Sequence, residues 1–220
     1  MLANPNTFRR VAAGVCLVLA PLCLLLGMAV DPTESTDDFM SYADSPMTAG
    51  VSSTLLHYAW VLWVPGVISL VHLVRRRGAL LANLAGAAAV LGLINFSSLM
   101  IADFFDIVLY QTLPREQAER ILMDAAQPAM IVGWQIPGML GSFLGLILVA
   151  VAYARAGRAG WWFPAGVTAG IVVWLVGANQ WNMLLGLAGP VILLIVYGTV
   201  GVSLIRMSDR EWAGEQAPAA

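Results

Sequence analysis

The chain has 220 residues, 60% of them hydrophobic and only 11% charged, with a formal net charge of −2. A soluble domain has about a quarter of its residues charged, so this composition excludes an ordinary water-soluble globule and predicts an all-α integral membrane protein. The slight negative charge gives no basis for nucleic-acid binding. All 11 basic residues are Arg, so there is no Lys for a retinal Schiff base.

Six apolar segments follow one another, at about 11–30, 54–74, 79–110, 130–154, 161–178 and 183–205. Each approaches or exceeds the roughly 17–25 residues that a membrane helix needs. Backbone groups in lipid must be satisfied within their own segment, so these are expected to be helices. The alternating short strands of a membrane barrel are missing. The expectation is one six-transmembrane-helix bundle over residues 1–210, followed by a cytoplasmic tail at 211–220.

The first segment follows a charged start, "MLANPNTFRR", as a signal peptide would. Its length of about 20 residues and the lack of a small-x-small cleavage pattern in "DPTESTDD" mark it instead as the first span. Cys16 and Cys23 lie seven apart on one helix face, beyond the roughly 7 Å Cα separation a disulfide tolerates. They read as small core or lipid-facing residues. Pro21, Pro65, Pro137 and Pro190 fall inside spans, where each invites a kink.

Arginines orient the spans. Arg9 and Arg10 precede span 1, "RRRG" (Arg75–Gly78) joins spans 2 and 3, Arg155 and Arg158 join spans 4 and 5, and Arg206 and Arg210 follow span 6. Six crossings put all four clusters on one side, which the positive-inside rule makes cytoplasmic, with both termini inside (N-in/C-in). Arg115 and Arg120 alone fall outside, among Glu116, Glu119 and Asp124. The address expected is a bacterial cytoplasmic (inner) membrane.

The outer stretch "LPREQAERILMDAAQP" reads as a short surface helix. It is started by Pro114, carries an i,i+4 pair Glu116–Arg120, and has an apolar stripe of Ala118, Ile121, Leu122 and Ala125. "GSFLG" (Gly141 to Gly145) and "GVTAG" (Gly166 to Gly170) are GxxxG patterns, and "ANLAG" is small-xxx-small. Such residues let helices approach closely, within the bundle or in a homo-oligomer or with a membrane-protein partner. Trp60, Trp63, Trp134, Trp161, Trp162 and Trp181 are expected in the interfacial aromatic belts.

Polar residues gather at the outer level. His57 lies early in span 2, and Asp103 and Asp106 lie late in span 3. Gln135 lies early in span 4, and Asn179, Gln180 and Asn182 lie where spans 5 and 6 meet. Asp103 and Asp106 share a helix face at i,i+3. A carboxylate inside a membrane segment faces a cavity or a partner, because exposure to lipid costs several kcal/mol. Together these seven residues form the candidate ligand pocket. His57, Asp103 and Asp106 also have the composition of a His-carboxylate metal site or a proton relay. The competing reading is a polar network that fixes helix register. His57 and His72 lie fifteen apart on one helix, but no other helix supplies histidines, so bis-His haem is not expected.

Three stretches, "RRVAAGVCLVLAPLCLLLG", "ISLVHLVRRRG" and "AGAAAVLGL", together with the acidic loop, resemble small six-span membrane proteins of GC-rich bacteria. The resemblance implies the fold and the inner-membrane address. In size and helix count the chain is also similar to the substrate-binding membrane subunits of vitamin transporters. That similarity implies a ligand taken from the outer side. The function expected is a small accessory or ligand-sensing subunit with an outward-facing polar pocket. The alternatives are an intramembrane metal-dependent hydrolase acting on lipid, and a transporter's substrate-binding subunit. No ATP-binding loop is present in the sequence.

Overall fold

Asn4 and Pro5 begin the first helix. The Asn4 side chain accepts from the Asn6 amide at 2.9 Å, and Pro5 sits in the first turn, where its missing N–H costs nothing. The computed structural model describes residues 4–32 and 40–214, and every regular element among them is helical. The acidic segment at 33–39 lies outside the described residues, as do 215–220.

In chain order the helices are α1 Pro5–Val30, α2 Met40–Asp44, α3 Pro46–Leu73, α4 Ala79–Leu99, α5 Ala102–Thr112, α6 Arg115–Ala125 and α7 Pro128–Met130. A π-helical turn, Ile131–Gln135, leads into α8 Ile136–Arg155, then α9 Trp162–Asn179, α10 Met183–Arg206 and α11 Asp209–Ala213. Six helical stretches are long and apolar enough to cross a membrane: Pro5–Val30, Pro46–Leu73, Ala79–Thr112, Pro128–Arg155, Trp162–Asn179 and Met183–Arg206. The second begins at Pro46, well before the expected residue 54, because Pro46 supplies a helix start ahead of the apolar run. The third is two helices, α4 and α5, rather than one. α1, α3 and α10 continue through Pro21, Pro65 and Pro190. Pro137, which cannot donate a backbone bond, sits just beyond the π-helical turn.

Each spanning helix packs on the next, and α10 returns to α1, so α1, α3, α4, α8, α9 and α10 close into an up-and-down ring. Close approach is carried by small residues. A Cβ on Gly145 would lie 2.6 Å from Ala89 Cα, and one on Gly141 would lie 2.7 Å from Ala88 O, so α8 and α4 touch backbone to backbone. Gly166 and Gly170 face Val196 and Leu193 of α10. Both GxxxG patterns therefore face helices of the same chain.

The interior holds an aromatic layer. Trp60 meets Phe96 edge-on at 4.6 Å and Trp174 at 5.8 Å; Phe143 meets Trp174 at 5.4 Å. Trp63 meets Tyr197 at 5.7 Å, and Tyr197 meets Phe163 at 5.4 Å. Such contacts add about 0.5–1.5 kcal/mol each beyond area burial. Trp60 and Trp63, 2% and 1% exposed, are therefore core residues and not belt residues. Trp134, Trp161, Trp162 and Trp181 stay exposed, as a belt position requires. The indole N–H groups of Trp60, Trp63 and Trp174 and the Tyr197 hydroxyl are buried with no hydrogen-bond partner among the described residues.

The two ends of the ring differ in charge. The starts of α1 and α4, the ends of α3, α8 and α10, and α11 carry nine of the 11 arginines. The opposite end carries Arg115 and Arg120 with most of the acids. At the arginine end the stretch expected as the tail begins inside a helix, α11, which takes in Glu211–Ala213. Ser208 caps α11 through the Glu211 amide at 3.2 Å, and Trp212 is only 5% exposed. The indole supplies the apolar area that docks this short helix.

Candidate functional site

At the acidic end, α4 stops at Leu99 and α5 starts at Ala102 without any proline. The Ser98 hydroxyl donates to Asn95 O at 2.6 Å, and the Trp134 indole donates to the same carbonyl at 3.2 Å and to Ser98 Oγ at 2.7 Å. Met100 N and Ile101 N reach back only three residues, to Ser97 O and Ser98 O at 3.3 and 3.4 Å. Hydroxyl and indole donors crowd onto this carbonyl near the end of α4, and the last turn tightens and breaks.

The break opens a cleft of about 460 Å³ between α3 and the α4–α5 junction. Thr54, His57 and Tyr58 line one wall; Ser97, Ile101 and Phe104 line the other. His57 Nδ1 lies 2.9 Å from Ser97 Oγ and 3.4 Å from Ser97 O. When the Ser97 hydroxyl donates to Nδ1, the ring proton sits on Nε2 and is offered as a donor; in the other tautomer Nε2 accepts. Among the described residues Nε2 has no partner, and His57 is exposed. The cleft is thus apolar with one imidazole nitrogen and a few hydroxyls, the pattern of a small-ligand site.

Asp103 lies beside the cleft rather than in it. It stands in the first turn of α5, where a carboxylate complements the helix dipole. The Ser53 hydroxyl donates to its Oδ2 at 2.8 Å, and the same hydroxyl lies 2.9 Å from Ala49 O. One residue earlier, Ser52 donates to Asp31 at 2.9 Å. Two neighbouring serines of α3 therefore hold one carboxylate from the end of α1 and one from the start of α5. Asp106 is half-buried and makes no hydrogen bond among the described residues.

The seven expected site residues separate into groups. His57 lines the cleft, and Asp103 is one turn away through Ser53, which also lines it. Gln135, in the π-helical turn, is half-buried and makes no hydrogen bond among the described residues. Asn179 and Gln180 are exposed at the end of α9. Asn182 caps α10, accepting from Leu185 N at 3.1 Å. None of these four lines the cleft. The aromatic layer of Trp60, Phe96, Phe143 and Trp174 fills the interior one turn below His57 and keeps the far side of the ring apart.

Among the described residues no three His, Cys, Asp or Glu side chains stand together as a metal would require. His57 turns to Ser97 and Asp103 to Ser53, so His57, Asp103 and Asp106 form no three-ligand site. On α6 the pair that forms is Arg115–Glu119, at 2.7 Å, in place of Glu116–Arg120. Of its expected apolar stripe only Ala118 is buried. Sequence reasoning missed Ser52, Ser53, Ser97 and Ser98. Their signal was available: two hydroxyl pairs inside apolar helices, at the depth of His57 and Asp103.

Among the described residues, fold and cleft together define an all-helical protein with six helical stretches long and apolar enough to span a membrane, and a side cleft at its acidic end. No family model, no curated protein and no solved structure matches the chain.

Proposed function

We propose that the chain is a small multi-pass protein of a bacterial cytoplasmic membrane that binds a small amphipathic ligand in the cleft beside His57. The arginine end faces the cytoplasm, following the positive-inside rule, so both termini are inside and the cleft opens towards the outer leaflet. The observation that carries the reading is the unpartnered Nε2 of His57 in an apolar cleft at a helix break. Cavities of this size take small ligands, with a few placed polar groups fixing orientation. The ligand class is a molecule with an apolar body and one group able to pair with an imidazole. Binding biases the junction of α4 and α5, which suits an accessory or sensing subunit.

The test is native mass spectrometry of protein extracted gently from its own membrane. A stoichiometric small-molecule adduct is expected on the wild type and its loss on His57→Ala. A bare wild-type chain, or an adduct untouched by His57→Ala and by Ser97→Ala, overturns the reading. Orientation is checked separately by single-cysteine labelling at Arg158 and at Glu116 in a chain with Cys16 and Cys23 replaced. An impermeant reagent applied from outside is expected to reach only the second.

A further inference from the structure

A groove of about 800 Å³ lies at the opposite end between α1, α3 and α11. Pro65 and Ile68 form its apolar floor, and both are exposed along the outer flank of α3. Arg9, His72, Arg75 and Trp212 form its rim.

Among the described residues no carboxylate pairs with Arg9 or Arg75 on this rim. Arg75 donates to the carbonyls of Trp212 and Ala213 at 2.7 and 2.5 Å, and its guanidinium is 3.2 Å from His72 Nε2. The His72 ring lies 4.9 Å from the Trp212 ring and 3.3 Å from Trp212 O. Arg9 has no hydrogen bond or ion pair among the described residues. The two acids of α11 are engaged elsewhere: Asp209 with Arg10 at 3.1 Å and Glu211 with Arg158 at 3.4 Å. Two guanidinium groups thus stand above an apolar floor, at the level where the bundle would meet headgroups.

We propose that this groove is a binding site for one anionic phospholipid. The phosphate sits between Arg9 and Arg75, and an acyl chain lies along Pro65 and Ile68. Guanidinium forks match phosphate oxygens and tolerate partial desolvation better than an ammonium does. Basic pockets between membrane helices on the arginine side are suited to acidic headgroups. A soluble phosphate would use the rim alone and leave the floor unexplained. The inference does not rest on the cleft beside His57.

The test uses the full chain in nanodiscs of phosphatidylcholine, alone or mixed with phosphatidylglycerol, and counts retained lipids by native mass spectrometry. One phosphatidylglycerol is expected to be retained in preference to phosphatidylcholine. Arg9→Gln with Arg75→Gln is expected to weaken that preference roughly tenfold or more, since each arginine near a membrane surface attracts an acidic lipid. Arg75 also holds α11, so a second variant leaves both charges in place: Ile68→Trp fills the floor and is expected to reduce retention. Excess glycerol phosphate is expected not to displace the lipid. Equal retention of the two lipids by the wild type, retention unaffected by both variants, or full displacement by glycerol phosphate overturns the proposal.

Discussion

At the arginine end of the bundle, charged groups fasten one chain end to the other; at the acidic end, hydroxyls hold single carboxylates and the helices break. Arg10, only 8% exposed, donates to Asp209 at 3.1 Å, to Leu204 O at 3.0 Å and to Ile205 O, so one guanidinium answers both a carboxylate and the last carbonyls of α10. Thr7 and Asn4 add hydrogen bonds to the same carboxylate at 2.5 and 3.3 Å. At the other end Asp31 and Asp103 are each held by a neutral serine, and Asp106 by nothing among the described residues. The first arrangement over-determines a position. The second leaves a cleft and an imidazole nitrogen open. Binding sites belong where local stability is lowest, and on this ground the acidic end carries the candidate function.

Substitutions can break this contrast. The largest effect is expected from Arg10→Met, which strips partners from Asp209 and from two helix-end carbonyls. A loss of about 2 kcal/mol follows if charged hydrogen bonds keep their usual worth, read as a drop in unfolding midpoint in detergent. An unchanged midpoint would show the arginine end to be no better fastened than the acidic one.

Acid should loosen the same end first. The Thr7 hydroxyl, and after it the Arg10 guanidinium, hold the Asp209 carboxyl below its usual range, against the opposing effect of burial. A depressed pKa contributes stability above the unfolded value of about 3.9, and that contribution is lost as pH falls through the folded value. The stability difference between wild type and Asp209→Asn is therefore expected to be full at neutral pH and to fade as acid protonates the folded carboxylate, at a lower pH than an ordinary aspartate would need. A difference that survives there would mean the carboxylate charge is not what holds α11.

Ser53→Ala, at the acidic end, is expected to cost about 1 kcal/mol, the usual net value of one hydrogen bond. The smallest effect is at Tyr197, whose buried hydroxyl has no partner. Removing it as Tyr197→Phe is expected to be neutral or to stabilise by up to about 1 kcal/mol, because an unsatisfied buried group is lost while the ring stays. A clear loss of stability would reveal an internal water bound to that hydroxyl.

The spans and the charge difference between the ends could be read from the sequence because both depend on composition along the chain. The direction each side chain faces could not. A helix in water shows its buried face by amphipathic period. Helices α3 and α4 show almost no such period, as is expected of helices apolar enough to cross a membrane, so Trp60 and Trp63 gave no sign of pointing inward. The break at Leu99–Ala102 was hidden for a related reason: Ser98 acts on it through a carbonyl shared with Trp134, a contact between distant segments. Asn182 looked like a site residue and serves as a helix cap, a role that shows only once the start of α10 is known. His57 and Asp103 were legible as a pair by depth, but which serine each would choose was not.

The most direct measurement of the central claim is the mass of the intact protein taken from its own membrane, compared with that of His57→Ala. His57 is exposed, so this variant should keep its unfolding midpoint to within about 0.5 kcal/mol in stability. A small-molecule adduct present on the wild type and absent from a folded His57→Ala is the result the account predicts. The same mass on both chains, bare or with identical adducts, would contradict it.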